Sequence, residues 1–192
     1  MEFESKLKGN LTEAVASTLF ENAGYRVVPL GIEKVVREVS TLDQKSYSKL
    51  ELSQTLRLMP DLLITEVDMN KAWLVEVKYR RKFEDFKNCE KLKKHLLEQA
   101  KRWGDFWILL FVGEGGCTGY GGDHCGILNV GIKSDELIFY KKDKNGEYSS
   151  WSDLHWYALA RIQDEFDKIP KAKHGTPIEK VVRVIRSFSQ LD

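Results

Sequence analysis

Two short apolar segments carry charges that a sheet does not accept freely. Met59-Pro60-Asp61-Leu62-Leu63-Ile64 and Trp73-Leu74-Val75-Glu76-Val77-Lys78-Tyr79 both read as strands. Their expected extents are Leu58 to Glu66 and Ala72 to Arg80, joined through Val67-Asp68-Met69-Asn70-Lys71. A loop that short predicts an antiparallel hairpin. Burying charge in a sheet is costly unless the charges are paired or bind a metal. The hairpin must therefore gather Asp61, Glu76 and Lys78.

Side chains two apart on a strand point the same way. Glu76 and Lys78 then share a face with Leu74, while Trp73, Val75, Val77 and Tyr79 take the other and pack in the core. Pro60 suits the first position of a strand, where its missing N–H costs little. Asp61 would lie at the mouth of that strand, opposite the Glu76 region. Two carboxylates, a backbone carbonyl and waters make an oxygen site suited to Mg²⁺. A neighbouring lysine can position or deprotonate a bound water, and the cation can stabilise charge building on a phosphate. These residue types fit metal-assisted hydrolysis of a phosphodiester. The competing reading is a cross-strand ion pair on a solvated hairpin; the apolar neighbours of all three residues favour the metal site.

Elsewhere the pattern predicts a helix from Glu4 to Ala23, with Leu7, Leu11, Ala14, Val15, Thr18 and Leu19 on its main apolar stripe and Glu13, Ala16 and Phe20 on a smaller one. Gly24 ends it as a left-handed cap, and Tyr25 to Leu30 is a first strand. Val35, Val36 and Val39 suggest a short helix, and the polar run from Ser40 to Gln54 an excursion. A long helix is expected from Phe83 to Trp103, with Leu92, Leu96, Ala100 and Trp103 inward and lysines outward. Phe106 to Val112 is a continuous apolar run, as in a strand buried on both faces. A Gly-rich loop, Gly113 to Gly122, leads to strands at Gly126–Ile132 and Leu137–Lys141 and a turn at Lys144-Asn145-Gly146. Leu154, Ala158, Ile162 and Phe166 repeat at i+4 and suggest a helix. Thr176-Pro177-Ile178-Glu179 opens a last helix as a capping box. The expected fold class is α/β, a mixed central sheet flanked by helices.

Pro60-Asp61, fourteen residues (62–75), then Glu76-Val77-Lys78 resembles the motif of the PD-(D/E)xK nuclease superfamily, which includes restriction endonucleases and Holliday-junction resolvases. Two further features match: Glu13 in the first helix ahead of Gly24-Tyr25, and Gln99 on the apolar stripe of the helix after Lys78. The resemblance implies a restriction-endonuclease-like αβββαβ core over residues 1–112, followed by a strand and helix extension over 113–192, in a single domain. It implies that Asp61 and Glu76 ligate Mg²⁺ or Mn²⁺ with the Val77 carbonyl, that Lys78 serves the attacking water, that Glu13 is an outer or second-metal ligand, and that Gln99 faces the site. The activity implied is that of a Mg²⁺-dependent endonuclease acting on DNA, in defence, repair or mobile-element biology. A binding module on the same fold with a degraded site, or a nuclease toxin domain, would share most of these features.

Composition limits the partners. The formal net charge of +1 excludes a bulk polycation, so DNA would have to meet a local basic face. Arg80, Arg81 and Lys82 offer one beside the proposed site, and Lys91, Lys93, Lys94, Lys101 and Arg102 follow on the next helix. Three cysteines, an odd number, suit a reducing compartment better than a disulfide scaffold. Cys117, His124 and Cys125 lack zinc-site spacing and a fourth ligand. No apolar run is long enough to span a bilayer, and Met1 to Lys6 has no leader pattern. A cytoplasmic protein with no membrane partner is expected, and a homodimer is compatible with this.

Overall fold

The computed structural model describes residues 2–31, 49, 53–114, 124–140, 147–171 and 177–188. It is an α/β fold built on a seven-stranded mixed sheet whose strands lie side by side in chain order. Helix α1 (Glu2–Asn22) leads into β1 (Arg26–Pro29); the short α2 (Gln54–Arg57) precedes β2 (Leu62–Thr65) and β3 (Ala72–Arg80). Helices α3 (Phe83–Lys87) and α4 (Glu90–Trp103) cross to β4 (Phe106–Val112), followed by β5 (Cys125–Lys133), β6 (Glu136–Tyr140) and β7 (Tyr148–Ser150). Two 3₁₀ turns (Trp151–Asp153 and Trp156–Ala158), α5 (Ile162–Glu165) and α6 (Pro177–Phe188) complete it. Only β3 and β4 pair in parallel, as a helical crossover requires; all other neighbours are antiparallel.

Alternation along the strands divides the core. On one face Val75, Val77, Leu109 and Phe111 pack with Ala16, Leu19 and Phe20 of α1, with Phe166 and with Ile185 of α6. On the other, Ile108, Leu110 and Val112 pack with Phe83 and Phe86 of α3 and with Leu92, Leu96 and Ala100 of α4. The expected hairpin is present, with Leu62 across from Val75 and Ile64 across from Trp73. Phe106–Val112 is the central strand expected of an unbroken apolar run, and Gly24 has the expected left-handed backbone (φ 84°).

Three expectations need correction. Helix α1 buries its expected main stripe only at Leu19: Leu7 and Leu11 are exposed, and Thr12, Ala16 and Phe20 face inward beside Leu19. The small Ala16 lets the helix approach the sheet, and Phe20 finds edge-on aromatic partners in Tyr25 and Phe166. The helix from Phe83 to Trp103 is broken at Asn88-Cys89, where Trp151 Nε1–H caps the Lys87 carbonyl at 3.2 Å and Cys89 O accepts from Lys93 N–H at 2.9 Å to start α4. The segment around Leu154–Phe166 is not one helix. Strand β6 ends at Tyr140, which leaves the outer edge of β5 open near Ile127; Ala160 fills it, exchanging N–H···O bonds of 2.9 Å in both directions. Satisfying that buried edge outweighs the i+4 pattern.

The suggested helix at Val35–Val39, most of the Ser40–Gln54 run, most of the Gly-rich loop, the Lys144–Gly146 turn and Thr176 lie outside the described residues. Among the described residues no helix is long and apolar enough to cross a membrane.

Candidate functional site

The sheet register explains why charges meet on β3. Leu62 lies across from Val75, so one step back sets Asp61 beside Glu76, and a second sets Pro60 beside Val77. Strand β2 begins only at Leu62, and Pro60 has no N–H to give. The ladder therefore fails at Val77. Its N–H is satisfied by a side chain instead, donating to Asp61 Oδ2 at 2.7 Å. In an extended strand the C=O of a residue points to the same edge as its N–H, so the Val77 carbonyl also faces this gap. The Asp61 backbone is fixed in turn, its carbonyl accepting from Leu30 N–H at 2.8 Å.

Glu76 and Lys78 project from the α4 face, as alternation requires. Glu76 is almost wholly buried. The Lys78 ammonium donates to Glu76 Oε1 and, at 3.2 Å, to the Val77 carbonyl; it lies 3.7 Å from Asp61 Oδ2. The second oxygen, Glu76 Oε2, accepts from Gln99 Nε2 at 2.7 Å. Gln99 is fully buried, and its own Oε1 has no hydrogen-bond partner. It occupies the inner stripe of α4 with Leu92, Leu96 and Ala100, as its spacing predicts. One turn earlier, His95 Nε2 stands 3.9 Å from Glu76 Oε1.

Electrostatics follow from this crowding. Burial, then the neighbouring Glu76 carboxylate, push Asp61 up to about 6 from 3.8, although Lys78 and the Val77 N–H act against the rise. For Lys78 burial opposes the charge, but Asp61 and Glu76 outweigh it and hold the ammonium above the ordinary lysine value. Burial and the Lys78 charge lower His95, which leaves its imidazole neutral near pH 7.

The site thus unites Asp61, Glu76, Lys78, Gln99 and the edge carrying the Val77 carbonyl. Glu13 is half-buried on α1, which packs against the opposite face of the sheet. The basic trio is divided. Arg80 is half-buried and turns back to donate to Tyr79 O at 2.7 Å. Arg81 Nε pairs with Glu114 Oε1 at 2.7 Å, and Lys82 Nζ lies 4.0 Å from Glu114 Oε2. His124 is buried with Nδ1 2.7 Å from Val112 O, and Cys125 lies in the core on the α1 face; Cys117 is outside the described residues.

His95 was not singled out from the sequence. Its signal was available: it precedes Gln99 by four residues, so a helix that turns Gln99 to Glu76 brings His95 near as well.

The donor set suits a hard cation of modest protein coordination. Among the described residues no three His, Cys, Asp or Glu side chains gather as a ready-made cage. Two carboxylates and one carbonyl leave the rest of a shell to water, the arrangement Mg²⁺ favours. The Lys78 ammonium touches or approaches all three of these oxygens, so a positive charge already suits the position they surround. No family model, no curated protein and no solved structure matches the chain.

Proposed function

We propose that the chain is a Mg²⁺- or Mn²⁺-dependent nuclease of the PD-(D/E)xK type, with a restriction-endonuclease-like core, acting on DNA. The observation that carries this reading is the convergence of Asp61 Oδ2, Glu76 Oε1 and the Val77 carbonyl on one ammonium, at a point where Pro60 breaks the strand ladder. From α1 to β4 the described elements run helix, strand, short helix, two strands, two helices and strand, which approximates the implied αβββαβ order once the short α2 is set aside and α3 and α4 are taken together.

Asp61, Glu76 and the Val77 carbonyl would hold the cation, which supplies Lewis acidity toward a phosphate oxygen when bound. Lys78, released from its carboxylates, would lie within reach of the attacking water and of the developing phosphate charge. Gln99 keeps Glu76 in place by holding its second oxygen. Glu13 would act as an outer or second-metal ligand.

The test is cleavage of linear, supercoiled, branched and single-stranded DNA with Mg²⁺ or Mn²⁺ against EDTA, together with calorimetry of metal binding. Metal-dependent cutting, lost along with metal affinity in Glu76→Ala, is the expected result. Absence of metal binding and of cleavage of every form would leave the cluster as an ion pair in a hairpin and favour a binding module.

A further inference from the structure

The α4 face holds a second feature beside the carboxylates. A cavity of about 300 Å³ opens between α2 and the outer stripe of α4. Arg57 and Leu58 form one wall; Lys91, Lys94, His95 and Glu98 form the other. The last four recur at helical spacing, so they line one continuous strip of α4. The walls are fastened together: Arg102 donates to Gln54 Oε1 at 2.6 Å and to Thr55 Oγ1 at 3.3 Å, which clamps α2 onto α4.

The lining of the cavity is mainly apolar, and the described residues around it carry excess positive charge. Among the described residues the one carboxylate on it, Glu98, lies 3.7 Å from the Lys101 ammonium. Neither Lys91 nor Lys94 has an ion-pair partner among the described residues. His95 belongs both to the cavity wall and to the surroundings of Glu76, so the cavity and the cluster adjoin. By contrast, Arg81 and Lys82 share Glu114.

We infer that this cavity seats one nucleotide of a nucleic-acid strand beside the bond to be cut, with Lys91 and Lys94 at its edge on the phosphates and Leu58 against its sugar. The assignment rests on the nuclease reading and adds the path of the strand. The volume, at the small end of ligand cavities, admits one nucleotide and not the width of a duplex. The charge complements a phosphodiester, and the position delivers the neighbouring phosphate to Asp61 and Glu76.

The experiment is fluorescence anisotropy with a labelled single-stranded oligonucleotide, titrated over salt without divalent metal so that nothing is cut. Lys91→Ala/Lys94→Ala removes two exposed side chains outside the core. Binding should weaken on the order of tenfold near ~0.1 M salt, and the log–log salt slope should shrink by about 1.4, the share of two phosphate contacts on a single strand. Lys171→Ala/Lys180→Ala removes the same charge from exposed positions on segments that pack against the other face, and should change both quantities much less. Parent-like binding by the cavity variant, or an equal loss in the control pair, overturns the assignment. If Arg81→Ala/Lys82→Ala alone weakens binding, the strand runs along that side instead and the assignment also falls. A parent that cuts DNA while the cavity variant binds and cuts equally well refutes the cavity alone. A parent that neither binds nor cuts any nucleic acid refutes the nuclease reading with it.

Discussion

The two faces of β3 differ although they alternate along the same nine residues. Toward α1, Val75 and Val77 enter a dry cluster with Leu19, Phe20, Leu109 and Phe111, edged by Trp73 and Tyr79. Toward α4, Glu76 and Lys78 meet Asp61, Gln99 and His95. Contacts on the first face are non-directional and scale with area removed from water. On the second, each group is costly to bury alone and acceptable only in company. The strand is therefore anchored from one side and polar on the other. The apolar face fixes the backbone so that the polar face can hold like charges near one another.

The largest effect should come from breaking the anchor. Phe20 is fully buried and packs edge-on to Phe166, with ring centroids 4.7 Å apart. Phe20→Ala should cost about 3–5 kcal/mol of stability, the usual range for an aromatic removed from a core. It should leave metal affinity of the folded protein within about twofold, because α1 lies across the sheet from the cluster. Denaturant midpoints paired with calorimetry below the transition check both. A large fall in metal affinity would mean that the two faces are not separable.

Next comes the polar face itself. Lys78→Ala keeps both carboxylates and removes the ammonium between them. Cleavage should fall about 10²-fold or more, the scale for loss of a positioned acid–base or electrostatic group. Metal affinity should hold or rise, since a competitor for the same oxygens has gone. The gain in melting temperature on adding Mg²⁺ should also exceed that of the parent, because Asp61 and Glu76 then repel each other with nothing else to neutralise them. Single-turnover cleavage and melting curves separate these outcomes. A variant that cuts like the parent removes Lys78 from the mechanism.

The same contrast sorts what was legible in the sequence. The polar face was readable because it depends on local rules: a two-residue period sets Glu76 beside Lys78, a short loop forces the hairpin, and Pro60 marks where pairing stops. Gln99 was readable as an amide on an apolar stripe. The anchor was harder. Helix α1 has two apolar stripes, and the choice of Ala16 and Phe20 over Leu7 and Leu11 depends on Phe166, a partner far along the chain. The Leu154–Phe166 repeat misled because an open edge on β5 recruits Ala160 into a bridge, a demand that no local period announces. The break at Asn88-Cys89 has no proline or glycine to signal it. The cavity was hidden for a related reason: its strip on α4 reads as an ordinary solvated lysine face until α2 is placed against it.

The smallest effect, and the most direct probe of the crowding on the polar face, is its pH dependence. Burial, then Glu76, raise Asp61 from 3.8 to about 6. A raised carboxylic acid favours folding in its protonated form, so its contribution to stability is complete below about pH 4 and is lost as pH rises through about 6. Without added metal, stability should therefore decline across that interval, and Asp61→Asn should flatten the decline. Metal binding carries the opposite sign, because the cation and the proton compete for the same oxygens. Mg²⁺ affinity should rise by up to about tenfold per pH unit below about pH 6 and level off above it. Stability and calorimetric titrations from about pH 4.5 to 8, with and without Mg²⁺, would give two curves of opposite slope that bend near the same pH. A metal affinity independent of pH over that range would place the cation away from Asp61. A stability that rises through pH 6 would mean that the Lys78 ammonium, and not burial with the repulsion from Glu76, governs this carboxylate.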